Sequence, residues 1–220
     1  MWNFCEGNPH LTDETNASRT LLFDIKKKQW SDDLCELFSV PETLLPRVQF
    51  SKSFFGNLKK DLFGFSLPVL AICGDQQASM YAAGTHRGTT KVTFGTGTFL
   101  AQSLGNRFDL FDGYQTTLIT GEKKSFYGVE IKISCYGKDI EPYVNDSVAL
   151  RRVLLRFAKE VKKAIHHLPI KTKAITIDGG GTRDGILKEL LQQELALPIY
   201  THDIFDGTAL GIAKMIFSIH

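Results

Sequence analysis

The run Gly74-Asp75-Gln76-Gln77-Ala78 sets one carboxylate and two amides side by side, directly after the apolar stretch Pro68-Val69-Leu70-Ala71-Ile72-Cys73. A carboxylate fixed where a buried strand gives way to a helix is rigidly placed. Such a group can take the proton from a substrate hydroxyl. The adjoining amides can hydrogen-bond a polyol. The same position also suits a plain helix N-cap, because an Asp side chain accepts from the free N–H groups of a first turn. On Asp75 alone both readings stand.

Two glycine runs follow in order. Gly95-Thr96-Gly97-Thr98-Phe99 reads either as an ordinary hairpin turn or as a phosphate-binding turn. In the second reading backbone N–H groups and the Thr96 hydroxyl approach phosphate oxygens. Asp178-Gly179-Gly180-Gly181-Thr182 lies between an apolar strand pattern and an amphipathic helix pattern. Three glycines there cost conformational entropy. The return is close approach of the backbone to a nucleotide. Asp178 itself reads equally as a solvated turn residue or a ligand-facing one. One acid and two glycine-threonine turns in this order point to phosphoryl transfer. The chain carries no GxxxxGK[ST], so it is not a P-loop protein. It has no HExxH and no Cys/His cluster, and no metal ligand is assigned. His166-His167 closes a helical pattern, where imidazoles complement the helix dipole. Phe99 alternates with polar neighbours and reads first as a core residue.

These groups need elements to hold them. From Leu67 onward, strand patterns at 68–73, 90–94, 98–103, 114–119 and 125–131 alternate with turn signals. An amphipathic helix is expected over 147–167, a strand at 173–177, a helix at 184–196, a short strand at 198–200 and a helix at 206–218. Before Leu67 the pattern is sparser. Ser31-Asp32-Asp33 caps a short helix ended by Pro41, and 47–66 reads as an extended connector. Hairpins first and alternating strands and helices later give an α/β layered domain with a mixed sheet.

Composition narrows the partners. The 220 residues are 43% hydrophobic and 23% charged, and 26 basic against 24 acidic side chains leave a net charge of +2. That balance gives no reason to expect nucleic acid or an acidic membrane surface. No apolar run has the length of a membrane span, and the first residues lack the pattern of a signal peptide. The four cysteines form no CxxC pair, as expected of a reducing, cytoplasmic compartment.

At these residues the chain resembles the FGGY family of carbohydrate kinases, most closely its glycerol-kinase branch. Thr12-Asp13-Glu14-Thr15-Asn16-Ala17-Ser18-Arg19-Thr20-Leu21-Leu22-Phe23 is similar to the family's TD-x-TNASRT-x-LF stretch. Gly74 to Ala78 matches GDQQA, Gly95 to Phe99 matches GTG-x-F, Asp178-Gly179-Gly180 matches the DGG turn, and Thr208 to Ala213 resembles TALGAA. The resemblance implies an actin/hexokinase-like (ribonuclease H-like) domain, a single half of a two-domain kinase. It implies ATP and Mg²⁺ as cofactors and glycerol or a similar polyol as acceptor. It carries the catalytic base onto Asp75, acceptor contacts onto Gln76 and Phe99, and nucleotide contacts onto Thr96, Gly97, Gly137, Gly179, Gly180 and Asp184.

Some family features are not matched. The DxGT phosphate turn is absent, as are the Arg, Glu, Trp and Tyr residues that hold most of the acceptor. A loop between about 141 and 147 is missing. Asp184 stands for an asparagine, and Glu141 for a glutamine. Residues 1–66 then read as the end of an N-terminal kinase domain plus connector, expected to be loosely ordered without its partner, and 67–220 as the C-terminal nucleotide-binding domain. Impaired phosphotransfer is the expectation. A non-catalytic nucleotide-binding remnant and one subunit of a split kinase, paired with a separate N-terminal half, are the alternatives. Oligomeric state is left open.

Overall fold

The computed structural model describes residues 1–183, 185–202, 204 and 206–217. Its first part runs β1 (Leu11–Asp13), α1 (Glu14–Ala17), β2 (Phe23–Asp24), β3 (Gln29–Trp30), α2 (Asp32–Leu37), β4 (Arg47–Gln49), β5 (Lys52–Asn57) and α3 (Lys60–Phe63). There follow β6 (Pro68–Ala71), α4 (Asp75–Ala83), β7 (Thr90–Phe94), β8 (Thr98–Gly105), β9 (Gln115–Ile119), β10 (Phe126–Ser134) and α5 (Tyr136–Ile140). The chain continues through α6 (Ser147–His166), β11 (Ile175–Asp178), α7 (Ile186–Leu195), β12 (Ile199–Thr201) and α8 (Gly207–Phe217).

The main sheet has six strands in the order β12-β11-β7-β8-β10-β9. β12, β11 and β7 run parallel, and β7, β8, β10 and β9 are antiparallel neighbours. It is the mixed sheet expected of an actin/hexokinase-like domain. Alternation along β7 and β11 sets its two faces. Val92, Phe94, Ile175 and Ile177 point to one side, where Leu154, Phe157, Val161 and Ile165 of α6 and Leu187, Leu190 and Leu191 of α7 bury them. Each large aliphatic buried this way contributes on the order of 1.5–3 kcal/mol. Lys91, Thr93, Thr176 and Asp178 alternate with those residues and so line the opposite face, paired in register as Thr176–Lys91 and Asp178–Thr93. That face lies under α4 and α8.

α6 is bounded by chemistry visible in the chain. The Asp146 carboxylate accepts from the N–H groups of Val148 and Ala149, each at 3.0 Å. His166 and His167 each bring Nδ1 to 2.7 Å from a last-turn carbonyl, of Lys162 and Lys163. Ser31 caps α2 as expected, through Leu34 N–H at 3.3 Å.

Two expectations change. The run 68–73 does not enter the main sheet; β6 pairs with β5 in a separate two-stranded ribbon. The stretch 47–66 is accordingly not a mere connector, since it supplies β4, β5 and α3. Nor is the early segment loosely attached. The Asp13 carboxylate is fully buried and accepts from Thr15 N–H (3.0 Å), Thr15 Oγ1 (2.6 Å), Asn16 N–H (3.1 Å), Asn16 Nδ2 (2.6 Å) and Ser51 Oγ (2.7 Å). Arg19 reaches across to Glu130 of β10 at 2.9 Å and to Thr117 of β9 at 3.0 Å.

α4 and α8 meet closely at Gly211, where an added Cβ would strike the backbone carbonyl of Ala78. Backbone cannot step aside as a side chain can. Gly211→Ala is therefore expected to destabilise the chain by about 1–3 kcal/mol, read as a lower midpoint in urea unfolding with an unchanged slope.

Candidate active site

The apolar run ends at Ala71, and Gly74, with extended backbone, caps α4. Asp75 is thus the first helical residue rather than the N-cap, and its exposed side chain accepts from Gln76 N–H at 2.7 Å. That removes the plain-cap reading. The turn before it is held from the early segment, since Gly74 N–H donates to Thr15 Oγ1 at 2.8 Å. It is held from the late segment as well, since Thr208 Oγ1 donates to the Asp75 carbonyl at 3.2 Å.

Gln76 faces a cavity of about 250 Å³ between the start of α4, the end of β11 and the start of α8. Ser79, Thr93, Asp178, Gly179, Gly180 and Thr208 complete most of its wall. The predicted acceptor amide and the predicted nucleotide turn therefore share one space. Gly179 has φ +92°, and a Cβ on it would meet the Phe94 backbone, with the carbonyl oxygen at 2.5 Å. The two glycine runs are thereby pressed together at the ends of β7 and β11. Ligands of α/β sheets gather outside such strand ends.

Thr96, Gly97 and Gly137 form a second group next to this turn. Gly137 N–H donates to the Thr96 carbonyl at 3.2 Å, and a Cβ on Gly137 would lie 3.4 Å from the Gly95 carbonyl oxygen and from Thr96 Cα. Tyr136 spans the groups, its hydroxyl 3.3 Å from the Gly181 carbonyl. Phe99 sits across from Thr93 on the cleft-side face. It is half-buried and packs beside Gly97, but it is not part of the cavity wall. Asp184 lies outside the described residues.

The reading of motifs did not single out Ser79, Lys91 or Thr93. Lys91 is 1% exposed, midway along a strand of the central sheet. Its ammonium nitrogen lies 2.6 Å from Ser79 Oγ, 3.6 Å from Asp178 Oδ1 and 3.4 Å from Gln76 Oε1, and it bonds Thr93 Oγ1. Burial pulls the lysine below its ordinary pKa, and the facing Asp178 carboxylate opposes that pull. A lysine inside the apolar-alternating run Thr90-Lys91-Val92-Thr93-Phe94 was the available signal, because a fully buried lysine is rare unless paired.

Comparison with known proteins places the chain among sugar and polyol kinases. The profile of the FGGY family of carbohydrate kinases, N-terminal domain, matches residues 1–82. A glycerol kinase of Rippkaea orientalis is 28% identical over a 276-residue alignment covering 97% of this chain and 55% of that protein. A glycerol kinase of Thermococcus gammatolerans is 36% identical over 172 residues, covering 77% of this chain and 33% of the other. Among solved structures, Plasmodium falciparum glycerol kinase with ADP superposes with TM-score 0.86 at 21% identity, over 97% of this chain and 55% of that one. A xylulose kinase of Lactobacillus acidophilus gives 0.79 at 12% identity, over 100% and 58%. The chain spans about half the length, or less, of the curated relatives it matches.

The two neighbouring glycines give a sharp contrast. Gly179→Ala forces a strained φ and a backbone clash, whereas a Cβ at Gly180 meets nothing within 4 Å. Thermal unfolding should show Gly179→Ala destabilised by about 2 kcal/mol or more, with Gly180→Ala within about 1 kcal/mol of the parent.

Proposed function

The chain belongs to the FGGY family of carbohydrate kinases, and from that premise we propose that it serves ATP-dependent phosphorylation of glycerol or a related polyol. The carrying observation is the shared cavity, in which Gln76 and the Gly179–Gly180 turn face each other beside Asp75. In this reading the Asp75 carboxylate accepts the proton of the attacking hydroxyl as its oxygen bonds the γ-phosphorus of ATP. The bond from that phosphorus to the bridging oxygen breaks, and ADP leaves. Gln76 orients the acceptor, with Phe99 as a neighbouring apolar wall. Thr96, Gly97, Gly137, Gly179 and Gly180 give backbone approach to the nucleotide, with Asp184 after the turn. Positioning and charge stabilisation carry most of such a transfer.

Mg²⁺ belongs with ATP in this chemistry. Among the described residues no group of three or more His, Cys, Asp or Glu side chains converges on a cation, and Asp178 is engaged with Lys91 and Ser79. The side chains do not form a Mg²⁺ cage. The ion's expected place is on the nucleotide phosphates, where Mg²⁺ keeps much of its water.

The division at 66/67 and the impairment of the chain acting alone belong to the same proposal. A second reading, a nucleotide-binding subunit that works with a separate kinase half or has lost turnover, draws support from the early segment. There Trp2, Phe4, Phe54, Phe63 and Phe65 are all exposed. No helix of the described residues is long and apolar enough to cross a membrane.

Calorimetric titration with ADP, beside a turnover assay with ATP, Mg²⁺ and glycerol, separates these readings. Micromolar to millimolar ADP binding with weak or absent turnover is expected, and Asp184→Asn should tighten binding by removing a charge beside the phosphates. Any turnover should fall at least 100-fold in Asp75→Asn with ADP affinity kept. Absence of ADP binding in both the parent and Asp184→Asn would overturn the nucleotide assignment. Turnover at ordinary kinase rates would refute the impairment.

A further inference from the structure

We propose that Lys91 is a positioning residue that fixes the Gln76 side-chain amide with its NH₂ group toward the cavity, making this wall selective for ligand oxygens that accept hydrogen bonds. The inference rests on the cavity being the acceptor and nucleotide site. It goes beyond that assignment by naming what sets the polarity of the site.

The argument is one of proton order. An ammonium group only donates. Ser79 and Thr93 therefore accept from Lys91, at 2.6 Å for Ser79 Oγ and in a short contact for Thr93 Oγ1. Each hydroxyl proton must then point onward. The Ser79 hydroxyl donates to Asp178 Oδ2, and the Thr93 hydroxyl is directed at Gln76 Oε1, 3.5 Å away. Lys91 itself lies 3.4 Å from the same Oε1. Two donors thus converge on the amide oxygen, and a reversed amide would set its NH₂ against both of them. Reversal would lose those bonds and oppose like-signed hydrogens in a buried setting, where such mismatches are costly.

Charge closes the arrangement. Asp178, 4% exposed, faces Lys91 at 3.6 Å and balances its charge. The pair sits on neighbouring strands, β7 and β11, immediately below the Gly179–Gly180 turn. Lys91 touches no cavity space itself, so it acts through Gln76 and Asp178. A phosphate or a hydroxyl oxygen with free lone pairs suits the outward NH₂ group. A ligand offering only donors does not.

The test uses the full chain and has a readout other than turnover. The Gln76 side-chain NH₂ signals, identified in a ¹⁵N–¹H spectrum by their loss in Gln76→Glu, are followed in Lys91→Met and in the charge-balanced double variant Lys91→Met/Asp178→Asn. The double variant leaves no unpaired buried carboxylate, so it guards against a folding failure of the single one. Both are expected to shift the Gln76 NH₂ signals strongly while distant amides stay in place. If turnover is measurable, the acceptor KM should rise about 10-fold or more with a smaller change in kcat. In the parent chain a protected Lys91 ammonium signal is expected at neutral pH, and this needs no variant.

Unchanged Gln76 signals in a folded variant, or a neutral Lys91 amine in the parent, would overturn the proposal. Failure of the kinase reading shows differently, as absent ADP binding in the parent with the Gln76 response to Lys91 replacement intact.

Discussion

A single buried carboxylate holds the early segment to the catalytic turn. Asp13 accepts five hydrogen bonds and is closed off from water. Its partners come from β1, α1 and the residue before β5, which otherwise share no large core. Thr15 passes the link on, donating to Asp13 and accepting from Gly74 N–H. An isolated buried charge is costly, but a carboxylate whose lone pairs are all engaged becomes a hub. Arg19 adds a second tie through Glu130 and Thr117, and Gln77 meets the same Thr117 hydroxyl at 3.1 Å. The turn bearing Asp75 is therefore clamped from both sides.

The central sheet separates two kinds of interior by strand alternation. One face of β7 and β11 is aliphatic and supplies the main apolar core under α6 and α7. The other carries Lys91, Thr93, Thr176 and Asp178, a polar floor on which the cleft rests. A strand buried on both sides commonly reads as a continuous apolar run. Here it does not, because one side must hold polar groups with their hydrogen bonds arranged.

Much of this was legible in the chain, and the gaps have physical reasons. β7, β8, β10, α6, α7 and α8 followed from periodicity and turn residues, within a few positions at their ends. The glycine runs and the GDQQA stretch were read as one site from their order, and the fold brings Gln76 to Gly179 and Gly180. β5 and its pairing with β6 were missed because strand partners are set by tertiary contact, and Lys52-Ser53-Phe54-Phe55-Gly56-Asn57 has weak alternation. Lys91 was missed because motif reading favours residues that face a ligand, while this one works from behind. The firm hold on residues 1–66 lay in long-range hydrogen bonds, such as Arg19 to Glu130, that no local pattern reports.

The close contact of α4 with α8 also bears on the order in which the chain can mature during synthesis. Thr208 and Asp75, which touch in the folded chain, are 133 positions apart. The hairpin of β7 and β8 can form as it emerges, from neighbours in sequence. The helix that carries Asp75 cannot, because the surface it leans on at Gly211 is translated much later. Until then its inner side faces solvent or whatever a chaperone offers. The reactive end of the molecule is thus among the last places to reach its final surroundings on the ribosome.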